Sequence, residues 1–417
     1  MNPANSGAGD ARRRLDAQLD LITSVLREKG VEARPAFSGN GNLDFLYQHG
    51  VILVRDRYLS RVRHVVGGGQ PLESFVDGVT LYSLQDARFH DVHQALEAVD
   101  TGLGHGVATP NHIYSITPVW ACPAHEPEVP QHAHSRPDPG VNEEGGEGVF
   151  IYVPDTGLLE DAAATHSWLE GVDGKLDRLL PPDSDGGVKI PGYAGHGTFI
   201  AGVARCMAPD AKVHVVSDFD RAGALSEHEI VKQLDRGLSM GADILCLSAG
   251  GGTRKDHPPL GFRAFWNRYR HHKGVVLVAA AGNNSSRRPF WPAAFPQVVS
   301  VGALAADGRA RADFSDFGPW VDVYAPGEGL VNAYATGTYV CREPPHVNET
   351  RKFQGMARWS GTSFATPLVA GMIASRMSHT GENGRRAADA LLAKAREQRI
   401  PGVGPVLKPA AHGGDTG

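Results

Sequence analysis

Ser363 stands in the stretch Arg358-Trp359-Ser360-Gly361-Thr362-Ser363-Phe364-Ala365-Thr366-Pro367. Here a tight turn feeds a helix, with Phe364, Leu368, Val369, Met372 and Ile373 at helical spacing. Pro367 falls near the first turn, where a missing N–H costs least. A hydroxyl at such a helix start faces unpaired backbone N–H groups and the positive end of the helix dipole. That suits a nucleophile whose reaction develops an oxyanion. Serine is also an ordinary helix cap, so its companions decide between the two readings. Asp155 follows the apolar run Val149-Phe150-Ile151-Tyr152-Val153, His196 precedes a helix of small residues, and Asn283 follows the apolar run at 275–279. Of these side chains, imidazole titrates near neutrality without help and can serve a hydroxyl as base.

The elements that must position these residues alternate in type. Strands are expected at 149–153, 213–216, 243–247, 275–279, 298–301 and 321–324, and helices at 198–204, 226–240, 261–272, after Ser363, and at 385–398. Ser226 and Glu229 have the spacing of a capping box for the second of these helices. The implied fold is α/β, a three-layer mainly parallel sheet over residues 148–400, with its site at the carboxyl ends of the strands. Residues 1–121 read as a separate unit. An amphipathic helix at 10–29 buries Leu15, Leu19, Ile22, Val25 and Leu26. Strands at 50–54, 79–84 and 112–116 and helices at 58–66 and 91–99 follow. That order suits a small α+β ferredoxin-like domain. Between the units, residues 122–147 are rich in proline, glycine and acidic side chains and read as an exposed, flexible linker. Its His125, His132 and His134 lack the rigid spacing of a metal clip. Residues 401–417 form a C-terminal tail.

Composition narrows the function classes. The 417 residues are 41% apolar and 21% charged, with a net charge of −5, against the basic excess expected of a nucleic-acid or anionic-membrane binder. No apolar run is long enough to span a bilayer, and the first residues lack a signal-like pattern, so a cytoplasmic location is expected. Cys122, Cys206, Cys246 and Cys341 are scattered without a C-x-x-C pair and read as buried free thiols.

Asp155-Thr156-Gly157, Gly195-His196-Gly197-Thr198 and Gly361-Thr362-Ser363-Phe364-Ala365-Thr366-Pro367 occur in the order Asp, His, Ser. With Leu247-Ser248-Ala249-Gly250-Gly251, Phe290-Trp291-Pro292-Ala293, Val299-Ser300-Val301-Gly302-Ala303 and Asp322-Val323-Tyr324-Ala325-Pro326-Gly327, the chain from about 148 to 376 resembles the subtilisin-like serine proteases, the subtilases. The resemblance implies a serine endopeptidase acting through an acyl-enzyme. Ser363 would attack, His196 would carry its proton to the leaving amine, and Asp155 would orient the imidazole. Asn283 and the Ser363 N–H would hold the oxyanion. A peptide or protein substrate would lie extended between Ser248-Ala249-Gly250 and Ala280-Ala281-Gly282, with Phe290 flooring a shallow specificity pocket. No cofactor is implied. The run from His196 to Val216 is too short for the family's usual strong calcium loop, so no metal is expected there, and weaker calcium sites stay open.

The resemblance extends, without sharp motifs, to an N-terminal propeptide-like domain serving as intramolecular inhibitor or chaperone, with self-processing in the linker. A permanently attached domain that selects a substrate or a partner is the alternative. Limited proteolysis of an intracellular protein or peptide is the errand expected. Interception of the acyl-enzyme by an amine, giving a transpeptidase, would call for a shielding insertion, and no large one is evident between Asp155 and Ser363. A pseudoenzyme would not keep all four polar residues.

Overall fold

The computed structural model describes residues 3–116, 126–131, 136–177, 179, 188–219, 221, 223–343 and 345–409, without the side chains of 3–11 and 14. Cys122, His125, His132, His134 and the end of the tail lie outside the described residues.

The larger unit is built on seven parallel strands. They are β6 (Phe150–Asp155), β7 (Asp173–Gly174), β8 (Lys212–Ser217), β10 (Ile244–Leu247), β11 (Val276–Ala280), β12 (Val298–Leu304) and β13 (Val323–Pro326). They lie side by side in the order β13-β12-β11-β10-β6-β8-β7. Successive side chains point to opposite faces, and both faces of the sheet's middle are covered, which is why β10, β11 and β12 are buried from end to end. Ile151, Val153, Ile244, Cys246, Val276 and Val278 pack with α5 (His196–Met207), α8 (Thr362–Thr380) and α9 (Gly384–Glu397). Tyr152, Leu245, Leu247, Leu277 and Ala279 pack on the other face with α6 (Glu227–Ser239) and α7 (Leu260–Tyr269). A single-turn helix α4 (Ala162–Thr165) follows β6. Of the four cysteines, Cys206, Cys246 and Cys341 are buried free thiols. Burial pushes Cys206 up to about 12 and Cys341 up to about 11, so neither competes as a nucleophile.

The smaller unit carries β1 (Ala33–Phe37), β2 (Leu43–Arg55), α2 (Leu59–Val66), β3 (Gln70–Val76), β4 (Val79–Ser83), α3 (Val92–Leu103) and β5 (Ala108–Ser115). It is an antiparallel sheet in the order β3-β4-β2-β5, with β1 paired to β2. Ile52, Val54 and Tyr82 face α2 and α3. Val51, Leu53, Val79 and Leu81 face the other way, into one cluster with Ile230, Leu234, Phe262 and Phe265 of α6 and α7. The two units therefore share a continuous apolar seam. The leading helix α1 (Pro3–Glu28) starts earlier than its apolar spacing indicates, and buries Leu15, Leu19, Ile22, Val25 and Leu26 as expected.

Three features depart from expectation. The linker is not simply exposed, because its described parts are strapped to a long hairpin, β14 (Leu330–Val340) and β15 (Thr350–Trp359). Glu128 exchanges both backbone hydrogen bonds with Arg358, and Asp138 does so with Val331. Glu126 accepts from the Tyr339 hydroxyl at 2.8 Å and from Arg342 N at 2.7 Å. The hairpin itself, of 11- and 10-residue strands, is a sizeable element between Asp155 and Ser363 that sequence reading missed. Finally, Ser226 precedes α6 without capping it. Its hydroxyl lies 3.0 Å from His228 Nδ1, and Glu229 pairs with His228 Nε2 at 3.0 Å instead of reaching back.

Candidate active site

Asp155 ends β6 at the carboxyl edge of the sheet, and His196 opens α5 beside it. Their approach requires glycine on both turns. A Cβ on Gly197 would fall 2.5 Å from the carbonyl of Gly157, and Gly157 itself has φ +108°. The Asp177 carboxylate ties the turns together, Oδ2 accepting from Thr156 Oγ1 at 2.9 Å and Gly195 N at 2.7 Å. Across the gap, Asp155 Oδ1 lies 2.8 Å from His196 Nδ1. A carboxylate only accepts, so Nδ1 carries the proton and Nε2 is left as the basic lone pair. That Nε2 is buried and has no hydrogen-bond partner among the described residues. The imidazole is held by rings, with Trp359 edge-on at 5.5 Å and Phe364, next to Ser363, at 5.3 Å.

Ser363 is the second residue of α8. Pro367, four residues on, has no N–H, so the Ser363 carbonyl would lose its helical partner. Ser248 Oγ donates to that carbonyl at 2.8 Å, which pins the helix start to the end of β10. The Ser363 hydroxyl makes no hydrogen bond to His196. It lies 3.1 Å from the carbonyl of Ile116, with the Ser248 carbonyl at 3.4 Å as the weaker alternative. Ile116 directly follows β5, so the smaller unit reaches the hydroxyl.

Asn283 is buried beside this helix start. Its Oδ1 accepts from Thr362 N and Thr362 Oγ1, both at 2.8 Å. A backbone N–H can only donate, so this fixes the amide orientation and leaves Nδ2 as the free donor, next to Gly361. With the N–H groups at the start of α8, Nδ2 can serve a negative oxygen held near Ser363.

The backbone segments divide differently from the sequence reading. Gly250 exchanges two 3.1 Å hydrogen bonds with Ser115, and Ile116 N donates to Gly223 O at 2.9 Å. Residues 113–115 also pair antiparallel with β9 (Ala224–Ser226). An extended strand here thus lies between Ser248-Ala249-Gly250 and 223–226, not between the former and Ala280-Ala281-Gly282. Ala280 ends β11, and Ala281 N is taken by Val301 O. The missed wall is a three-residue strand, too short to show a pattern. Phe290 fills the space between Gly250 and Gly282: a Cβ on either would lie 2.4 and 2.9 Å from its ring.

Among the described residues, Glu73, His228 and Glu229 have metal-like proximity. Lys232 Nζ already sits 2.9 Å from Glu73 and 3.2 Å from Glu229. The hydrogen bond from His228, with Lys232, holds the Glu229 carboxyl down to about 2. The group is an ion-pair cluster on the seam between the units.

A parallel α/β sheet with an Asp–His pair and a helix-start serine at its carboxyl edge defines the class, and the comparisons give the family. Residues 146–403 match the model described as the subtilase family, so the chain belongs to the subtilases. It is 32% identical over 274 residues to the thermophilic serine proteinase of Bacillus sp. (strain AK1), covering 63% of this chain and 60% of that protein. Thermitase of Thermoactinomyces vulgaris is 28% identical over 237 residues, 54% of this chain and 74% of thermitase. The structure of fervidolysin from Fervidobacterium pennivorans, described as a keratinolytic enzyme related to subtilisin, shares the fold. Its TM-score is 0.58 at 21% identity, covering 87% of this chain and 60% of that one. The chain thus spans about 60% of the length of the first and third of these relatives.

Proposed function

We propose that this chain is a serine endopeptidase whose own N-terminal unit occupies the substrate cleft. The observation that carries the reading is the Asp155–His196 pair with its free Nε2, set at one sheet edge with the helix-start Ser363. Ser363 Oγ attacks the peptide carbonyl and its proton passes to Nε2. The oxyanion is held by Asn283 Nδ2 and backbone N–H. The peptide C–N bond then breaks as the proton moves to the leaving amine. Water attacks the acyl-enzyme by the same route in reverse. Substrate adds as a strand between Gly250 and 223–226, a mode that uses backbone hydrogen bonds and tolerates many side chains. Incubating wild type and Ser363→Ala with a mixed peptide library tests the reading: only wild type should yield new termini. Products cut by both proteins would refute it.

The smaller unit acts in this reading as a propeptide-like inhibitor. Support comes from its element order β2-α2-β3-β4-α3-β5 and strand order β5-β2-β4-β3, those of a ferredoxin-type βαββαβ unit. The Ser115 and Ile116 contacts, which copy a bound substrate and engage the nucleophile, support it further. Self-processing in residues 122–147 completes the reading. Intact masses test it: wild type should shorten, Ser363→Ala should not.

Phe290, wedged between Gly250 and Gly282, leaves room only for small side chains before the scissile bond. In Phe290→Ala the kcat/KM for substrates with large residues there should rise by at least about tenfold relative to small ones, the scale of a few methylenes of pocket. Unchanged ratios in a library cleavage profile would show that the ring does not limit the pocket.

A further inference from the structure

Asp316 is 1% exposed and lies behind the loop that carries Asn283. Its Oδ1 accepts from Asn284 N and Ser286 N, both at 2.8 Å, and its Oδ2 from Asn284 Nδ2 at 3.1 Å. Its own N–H donates to the Gly282 carbonyl at 2.8 Å. Four hydrogen bonds thus bind one aspartate to residues 282, 284 and 286, the immediate neighbours of Asn283. The fit is close: Gly282 has φ +102°, and a Cβ there would fall 2.3 Å from Asp316 Oδ2. Ser285 is held at φ +49°, a left-handed conformation that a non-glycine residue seldom adopts. The loop keeps this shape because the carboxylate gathers its N–H groups, the arrangement in which charged acceptors form the stronger hydrogen bonds.

We infer that Asp316 is the positioning residue of the oxyanion site: its carboxylate fixes the loop that aims the Asn283 amide, and so sets kcat rather than KM. The inference rests on the peptidase reading. Asp316 does not reach the substrate and acts through Asn283.

Charge is the lever. Burial pushes the Asp316 carboxyl up to about 7, against the lowering by its hydrogen bonds from Ser286 and Asn284 and by nearby Arg311. Arg311 lies on its own loop and donates to the carbonyls of Ala312, Asp313 and Ser315. From the sheet, the titratable group that interacts with it is the Tyr324 phenol, itself raised by burial. A cavity of about 300 Å3, lined by residues 42–44 and the 284–290 loop, reaches Asp316. Above pH 7 the carboxylate is ionised and holds the loop. Below it, the neutral group keeps only weaker bonds. The stability sign is opposite: the raised value means that folding stability from this group is lost as pH rises through about 7.

Asp316→Asn fixes the neutral state at nearly constant shape. Kinetics of the full chain on a chromogenic peptide amide, from pH 5.5 to 8.5, should show kcat about tenfold below wild type at pH 8, the scale of losing charge assistance on two or three hydrogen bonds. The two proteins should converge below pH 6, with KM unchanged throughout. In the Asn283→Ala background, Asp316→Asn should change kcat by less than about twofold, since the group it positions is gone. Asn283→Ala alone should keep whatever pH dependence the His196 base imposes and lose the additional rise through about pH 7 that belongs to Asp316, even where Asp316→Asn fails to fold. A wild-type-like kcat profile for Asp316→Asn, or an undiminished effect without Asn283, overturns the role of Asp316 alone. A chain that cleaves no peptide at any pH overturns the peptidase reading and this inference with it.

Discussion

Ser363→Ala is expected to lower peptide turnover by about a millionfold, with little change in the binding of extended peptides. The magnitude is that known for the related subtilisin, where nucleophile and base act as a unit. The geometry supplies the reason. His196 Nε2 is buried, unpartnered and basic, so it has a single task, to take a proton from an oxygen delivered to it. Alanine leaves no hydroxyl to deliver. On the proposed reading the cleft walls are the backbones of 223–226 and Gly250, which do not depend on that hydroxyl. Progress curves on a peptide amide check turnover, and fluorescence anisotropy of a labelled peptide checks binding. A loss much smaller than about a thousandfold would mean that another nucleophile can substitute.

The second large effect has the opposite sign. His112→Ala is expected to raise the initial rate on small peptides by on the order of tenfold to a hundredfold. His112 lies on β5 and Glu227 opens α6, and their side chains, 1% and 0% exposed, meet at 2.7 Å. The imidazole Nδ1–H donates to Glu227 Oε2, its Nε2 accepts from Arg254 N at 3.3 Å, and Glu227 Oε1 accepts from Gly261 N at 2.6 Å. Removing the imidazole leaves a buried carboxylate short of one donor, a cost of about 1–3 kcal/mol. That cost falls on docking of the N-terminal unit, because the two partners lie on opposite sides of the seam. Each 1.4 kcal/mol is about tenfold in the docked-to-free ratio. On the proposed reading, undocking frees the Ser363 hydroxyl from Ile116. Unchanged or lower rates in a folded His112→Ala protein would show that the docked strand does not limit access. Combining it with Ser363→Ala must abolish the gain.

The parts readable from sequence are those whose chemistry is local. Asp155 closes an apolar run, His196 opens a helix of small residues and Ser363 opens another, so the type and edge of each supporting element followed from a few neighbours. Contacts made across long separations were not readable. Ser363 reaches Ile116 over 247 positions, and nothing near either residue signals the other. β3 went unseen because all but its last two residues are exposed, leaving no alternation to detect. β14 and β15 are interrupted by Gly337 and Gly355, both at positive φ, which break the strand pattern. The linker looked free because its ties to the hairpin, backbone pairs and side-chain bonds alike, join residues 213 or more positions apart for Glu126 and Pro127, beyond any local pattern. Asp316 gave no signal either, since its partners are chiefly N–H groups some thirty positions earlier.

The most direct test is the mass of the adduct formed by a fluorophosphonate probe, mapped to its residue in wild type and in His112→Ala. A single adduct on Ser363, formed faster in His112→Ala and absent from His196→Ala, is the expected result. Labelling on any other residue, or equal labelling with and without His196, would contradict the placement of nucleophile and base at this sheet edge.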